Sequence, residues 1–169
     1  MPMSDQSADQ PTGPELRSLL HELVRFETEL WDAIESRVRA DHGVPLGNYE
    51  VMTVIAGQPG CRVQDIAAAL SITVGGVSKI VDRIEAAGHC ARRANPADRR
   101  SSVIELTPPG VRILAALTAT VEDELERRLG PALSAHSLAT LTHALARLRT
   151  AVGAGDSADD GAGEEEEAS

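Results

Sequence analysis

The apolar positions of this chain fall into six runs of helical period and two short runs of strand length. Pro14–Asp41 carries Leu16, Leu19, Leu20, Leu23, Val24, Leu30, Trp31, Ile34 and Val38 at near-helical spacing, which predicts one long helix ended by His42-Gly43. Val44-Pro45 bridges to a shorter helix around Gly47–Ala56, with Tyr49, Met52 and Ile55 on one face, and Gln58-Pro59-Gly60 is a turn. Val63–Leu70 puts Ile66, Ala67 and Leu70 together, and Ser71-Ile72-Thr73 then makes a three-residue turn with Thr73 as N-cap. Val74–Ala87 buries Val77, Ile80, Val81 and Ile84 at i, i+3, i+4, i+7, and Gly88 stops it in the C′ position. Two strands follow, Cys90–Ala94 and Ser101–Leu106, around Asn95–Arg100, with Cys61-Arg62 placed to add a minimal strand beside them. Thr107 caps the next helix with Pro108 at N1, and Gly130-Pro131 stops it after about Leu129. The last helix begins near Ser134 and repeats Leu138, Leu141, Leu145, Leu148 and Val152 in alternating steps of three and four, a heptad-like seam suited to another helix.

Two short helices joined by a tight turn, the second exposing small and basic groups, make a helix-turn-helix, and an arginine-tipped hairpin directly after it is a wing. The expected fold is mainly α: a winged helix-turn-helix with long flanking dimerisation helices, α+β only through a small two- or three-stranded wing. Residues 1–13 and the Gly/Ala/acid stretch 153–169 read as disordered tails around a folded domain at 14–152. Within that domain the reading unit spans about 60–107, and the flanking helices lie at about 14–41 and 108–152. These flanks carry more apolar stripe than the small unit can cover. A two-fold dimer would bury the excess and set two recognition helices roughly 34 Å apart, one duplex turn.

Charge changes the picture only once it is located. The net charge is −10, but nine acids lie in the two tails and leave −1 for residues 14–152. Between Gly60 and Gly110 seven bases face five acids, and from His89 to Val103 four arginines face one aspartate. Positive charge therefore gathers where a phosphate backbone would lie. With Phe26, Trp31 and Tyr49 as the only aromatics, there is no platform for stacking single-stranded bases. Cys61 and Cys90 are too few for a disulfide framework and read as small core residues; a redox role would need Arg92 and Arg93 to lower the Cys90 pKa. The five histidines show no zinc spacing, and no nucleophile set or phosphate loop is present, so no metal, cofactor or catalytic residue is expected. No apolar run reaches the roughly 18–20 residues of a membrane span, so a soluble, cytoplasmic protein is expected.

The stretch VSKIVDRIEAAGHCARRANPADRRSSVIELTPPG, Val77–Gly110, resembles the MarR family of bacterial winged-helix regulators, with VDRIEAAG, DRR at Asp98–Arg100 and LTxxG at Leu106–Gly110 at the family's spacing. The resemblance extends over about residues 15–152. It implies that Arg100 reaches into a minor groove, that Arg99 meets phosphate or braces the hairpin, and that Asp98 pairs with Lys79 or Arg83 to fix wing against helix. Ser78, Lys79, Asp82 and Arg83 would face the major groove, and Thr73 with the free N–H groups of the next turn would hold a phosphate. Gly75-Gly76 replace the longer polar side chains common in the family; they thin direct base readout there and let the helix approach the groove floor. His89-Cys90 replace apolar residues at the start of the wing. Relatives bind small aromatic effectors near the first two helices, which makes Trp31, Glu35, Tyr49 and Met52 candidate pocket residues, although a core role suits Trp31 and Met52 better.

The function expected from these readings is a homodimeric, sequence-specific binder of double-stranded DNA with an inverted-repeat operator. The resemblance implies a repressor released by a small effector. The rival reading is a winged-helix protein-interaction module that has lost operator binding and acts through its acidic tail. It would leave function unchanged on neutralising Arg100 and abolish it on deleting residues 153–169.

Overall fold

The computed structural model describes residues 10–95 and 102–159, with side chains through residue 153. The chain divides into two compact units, residues 1–124 and 125–169.

In the first unit, α1 (Gly13–His42) begins one residue before the expected start. Both the N–H and the hydroxyl of Thr12 donate to the Glu15 carboxylate at 2.7 Å, so the Thr-x-x-Glu spacing closes the helix entrance. Only the second half of α1 is buried, through Ile34 and Val38; Leu16, Leu19, Leu20 and Val24 stay exposed. α2 (Leu46–Gly57) starts where the Glu35 carboxylate accepts the Leu46 N–H, which satisfies a donor that Pro45 cannot cap with a side chain. α3 (Val63–Leu70) and α4 (Val74–Ala86) follow, joined through Ser71 at φ 53°. The hairpin pairs β1 (Cys90–Ala94) with β2 (Ser102–Leu106) antiparallel, in the register Cys90↔Leu106, Arg92↔Ile104, Ala94↔Ser102.

These elements close on one core of Val51, Met52, Ile55, Cys61, Ile66, Ala67, Val77, Val81, Ile84, Cys90 and Ile104. Each fully buried Ile or Met in it is worth roughly 1.5–3 kcal/mol over leaving it in water. Of the two- or three-stranded alternatives for the wing, the sheet has two strands among the described residues. Cys61 makes one ladder bond, its carbonyl accepting the Ile104 N–H at 2.7 Å, but the next residue leaves the ladder because the Arg62 N–H donates to Asp65 at the head of α3.

α5 (Pro108–Leu129) packs Leu117 and Val121 into the first unit. It meets α1 through polar contacts: His42 Nε2 and Thr120 Oγ1 lie 2.8 Å apart, and Arg37 reaches Asp123 at 3.6 Å and the buried Glu124 at 3.7 Å. In the second unit, α6 (Ala135–Asp159) is entered through the Ser134 hydroxyl, which accepts the Ser137 N–H. It continues through Asp159, beyond the expected end at Val152, because no proline interrupts its ladder. Leu138, Leu141, Leu145 and Leu148 are exposed along it.

Candidate nucleic-acid interface

α4 is built to stand with one face in the core and the other in water. Val77, Val81 and Ile84 are buried, while Gly75, Lys79, Asp82 and Arg83 are exposed. Thr73 Oγ1 accepts the Gly76 N–H at 3.1 Å, so the helix opens with its dipole end capped on one side and the N–H groups of Val74 and Gly75 directed out of the first turn. A Cβ at Gly76 would sit 3.1 Å from that same hydroxyl, whereas Gly75 faces open space. Gly75 can therefore let another surface approach the backbone. Lys79 and Arg83 are exposed on this face and make no ion pair among the described residues.

The other end of α4 anchors the wing and the following helix. Gly88 lies at φ 77°, its N–H bonds the Glu85 carbonyl and the His89 N–H bonds the Ile84 carbonyl, a complete Schellman stop. The chain then doubles back on this stop. Thr107 donates its N–H to the His89 carbonyl at 3.0 Å and its hydroxyl to the Gly88 carbonyl at 2.6 Å, and its Oγ1 accepts the Gly110 N–H at 3.1 Å. A Cβ on Gly110 would lie 1.8 Å from the His89 oxygen. The Leu-Thr-x-x-Gly spacing is thus the joint of recognition helix, wing and α5. His89, unusual by its side chain, serves that joint through its carbonyl.

One contact was not foreseen. Arg92 on β1 donates its N–H to Glu85 Oε1 at 2.9 Å, one Nη to the other Glu85 oxygen, and the second Nη to Asp82 Oδ1 at 2.6 Å. The Arg92 N–H and guanidinium hold the Glu85 carboxyl below its usual range, against a smaller rise from burial. Asp82, expected to face the major groove, is exposed and is also engaged from the wing. Arg93 pairs with Glu105 on the outer side of the hairpin at 2.9 Å. Asp98, Arg99 and Arg100 lie outside the described residues.

The four candidate effector residues differ in exposure and in partners. Met52 is fully buried in the core, and Glu35 accepts from Arg39 and from the Leu46 N–H. Burial raises the Glu35 carboxyl, but these two donors together hold it below its usual range. Trp31 lines an open hollow on α1 with Glu27, Thr28 and Asp32, and Tyr49 is half-buried. A separate cleft of about 310 Å³ lies between the starts of α3 and α4 and the wing, bounded by Arg62, Val74, Ser78, Arg92 and Ile104.

Both cysteines are buried. Burial pushes the Cys90 thiol up to about 11, with Glu85 adding to the rise and Arg92 opposing it, and burial with Asp65 raises Cys61. Arg92, which could have activated Cys90, is held by two carboxylates. Native protein at pH 7.5 should therefore incorporate less than about one-tenth of an equivalent of iodoacetamide in the time that urea-unfolded protein takes up two. Rapid labelling of the folded chain would contradict the buried, protonated state.

The MarR family profile matches residues 42–101, which span the helix-turn-helix and most of the wing. Among curated relatives, a putative transcriptional regulatory protein for the hcr operon of Thauera aromatica is 28% identical over 121 residues, 66% of this chain and 73% of that protein. The multiple antibiotic resistance protein MarR of Escherichia coli K12 is 29% identical over 129 residues, 76% of this chain and 90% of that protein. Among solved structures, the transcriptional repressor CouR bound to a 23-mer DNA duplex superposes with a TM-score of 0.72 at 26% identity, covering 83% of this chain and 99% of that one. Profile, relatives and fold converge on the stretch whose geometry is described above, and over that stretch the chain is similar to the MarR family of transcriptional regulators.

Proposed function

We propose that this regulator is a homodimeric repressor that reads double-stranded DNA with α4 and the wing, and that a small aromatic effector releases it. The observation that carries the reading is the outer face of α4: Lys79 and Arg83 without an ion pair among the described residues, beside a Gly75 open to close approach. Ser78, Lys79 and Arg83 would face the major groove and its phosphates, and the first turn behind Thr73 would hold a phosphate on its N–H groups. Arg99 and Arg100 would carry the wing tip to the backbone and minor groove. The DNA in the CouR structure and the word repressor in that protein's name support the reading.

The exposed apolar side chains of α1 and α6 support a dimer, since Leu16, Leu19, Leu20 and Val24 on one and Leu138, Leu141, Leu145 and Leu148 on the other need cover. Of the candidate effector residues, Trp31 and Tyr49 keep accessible surface. An effector there would act by favouring a wrong spacing of the two recognition helices; a coupling of about 1–3 kcal/mol weakens DNA binding roughly 5–150-fold.

The test is a selection from a random duplex pool at near-physiological salt, run with wild type and Arg100→Ala. Wild type should enrich an inverted repeat with half-sites about one turn apart, and the variant should lose or relax it. If neither protein enriches any site, operator binding is refuted, and deletion of residues 153–169 becomes the informative variant.

A further inference from the structure

We infer that Arg92 is a positioning residue for DNA reading: it clamps the wing onto the recognition helix through Asp82 and Glu85, and does not itself contact phosphate. The inference rests on the DNA-reading function proposed above. Its starting point is a position that pattern alone would make apolar. In the hairpin register Arg92 stands opposite Ile104, on the same face as Cys90 and Leu106. Cys90 and Ile104 are buried in the core, so this is the inward face. An arginine there must satisfy its charge locally, and it does so on two acids one turn apart on α4.

The geometry leaves little of Arg92 for DNA. Both Nη atoms engage a carboxylate, and the backbone N–H engages Glu85 as well. Three donors of one residue thus fasten the wing to α4. A two-stranded hairpin is marginal on its own, and no third strand pairs with it among the described residues. The Arg93–Val103 and Ala94–Ser102 pairs lie beyond the clamp, and the two arginines of residues 95–101 follow Ala94 in the chain. The clamp also places a positive charge against two acids on a helix that must approach a polyanion, which reduces the repulsion that Asp82 and Glu85 would otherwise offer.

Arg92→Gln, Arg92→Lys and Arg83→Gln separate positioning from contact. The DNA probe is the duplex that the wild type enriches from the random pool. Arg92→Gln should weaken its binding about tenfold, the scale of losing a charge-assisted hydrogen-bond pair. The slope of log affinity against log salt should stay at the wild-type value, since no phosphate contact is lost. Arg83→Gln, a proposed phosphate contact, should lower that slope by about 0.9. Arg92→Lys should recover part of the affinity. In the free protein, Arg92→Gln should speed amide hydrogen exchange in residues 90–94 and 102–106 about tenfold, with the core amides of α4 unchanged. A salt slope reduced by Arg92→Gln would make Arg92 a phosphate contact and overturn the inference. Unchanged wing exchange would overturn it as well, whether or not any DNA site is enriched. If wild type enriches nothing while the exchange arm behaves as expected, the DNA-reading proposal fails and the clamp itself stands.

Discussion

Gly110→Ala should cost this protein at least about 3 kcal/mol, the upper end of what overpacking does to a folded core. An alanine Cβ at this position would sit 1.8 Å from the His89 carbonyl oxygen and 2.8 Å from its carbon. Both are backbone atoms, so no side chain can rotate away. Relief requires α5 to lift from the end of α4, and that movement breaks the two hydrogen bonds from Thr107 to the Gly88 and His89 carbonyls. For a chain of this size, 3 kcal/mol lowers Tm by roughly 6–12 °C. Urea denaturation of Gly110→Ala beside Pro109→Ala measures the effect against a neighbour that is exposed. Pro109→Ala should stay within about 0.5 kcal/mol of wild type. Two variants of equal stability would mean that the joint is not as tight as described. The predicted damage also reaches function, because Gly88, His89, Thr107 and Gly110 hold the wing, the recognition helix and α5 in one frame.

The double variant Lys79→Gln/Arg83→Gln should produce the largest loss of DNA binding with the fold intact. Both side chains are exposed, and neither makes an ion pair among the described residues, so their removal takes nothing from the core. If each neutralises one phosphate, the salt slope should fall by about 1.8, and affinity at physiological salt should drop on the order of 30- to 100-fold. The loss should be nearly the same for specific and random duplexes, because phosphate contacts carry no sequence information. Filter binding or fluorescence anisotropy over a salt series measures both quantities. An unchanged slope would mean that α4 does not present these two cations to DNA.

Much of the architecture was legible as local pattern. Thr12 and Glu15 could have been read as a capping box, and Thr73, Gly88 and Thr107 mark helix ends by chemistry that acts within a few residues. The apolar periods of α3 and α4 located their buried faces for the same reason. What spacing along the chain could not show is which distant groups meet. Asp82 looks like one more polar residue on an outward face until β1 folds back and brings Arg92 to it across ten residues. Arg92 and Arg93 follow Cys90 closely in sequence and suggest an activated thiol, but Arg92 is engaged by Asp82 and Glu85 and desolvation dominates the cysteine. Trp31, Glu35, Tyr49 and Met52 could be grouped from adjacent helices, yet Met52 faces the core and Glu35 closes the start of α2.

The sequence by itself therefore determined the order of helices and strands, the helix ends at Thr73, Gly88 and Thr107, and the buried faces of α3 and α4, because these depend on interactions over one or two turns. It also located the basic segment and the Leu-Thr-x-x-Gly signature. Only the tertiary structure decided why that glycine is needed, which acids hold the wing, and why both thiols stay protonated. Those outcomes depend on burial and on contacts between residues far apart in the chain, where a carbonyl, a carboxylate or the loss of water outweighs what neighbouring residues suggest.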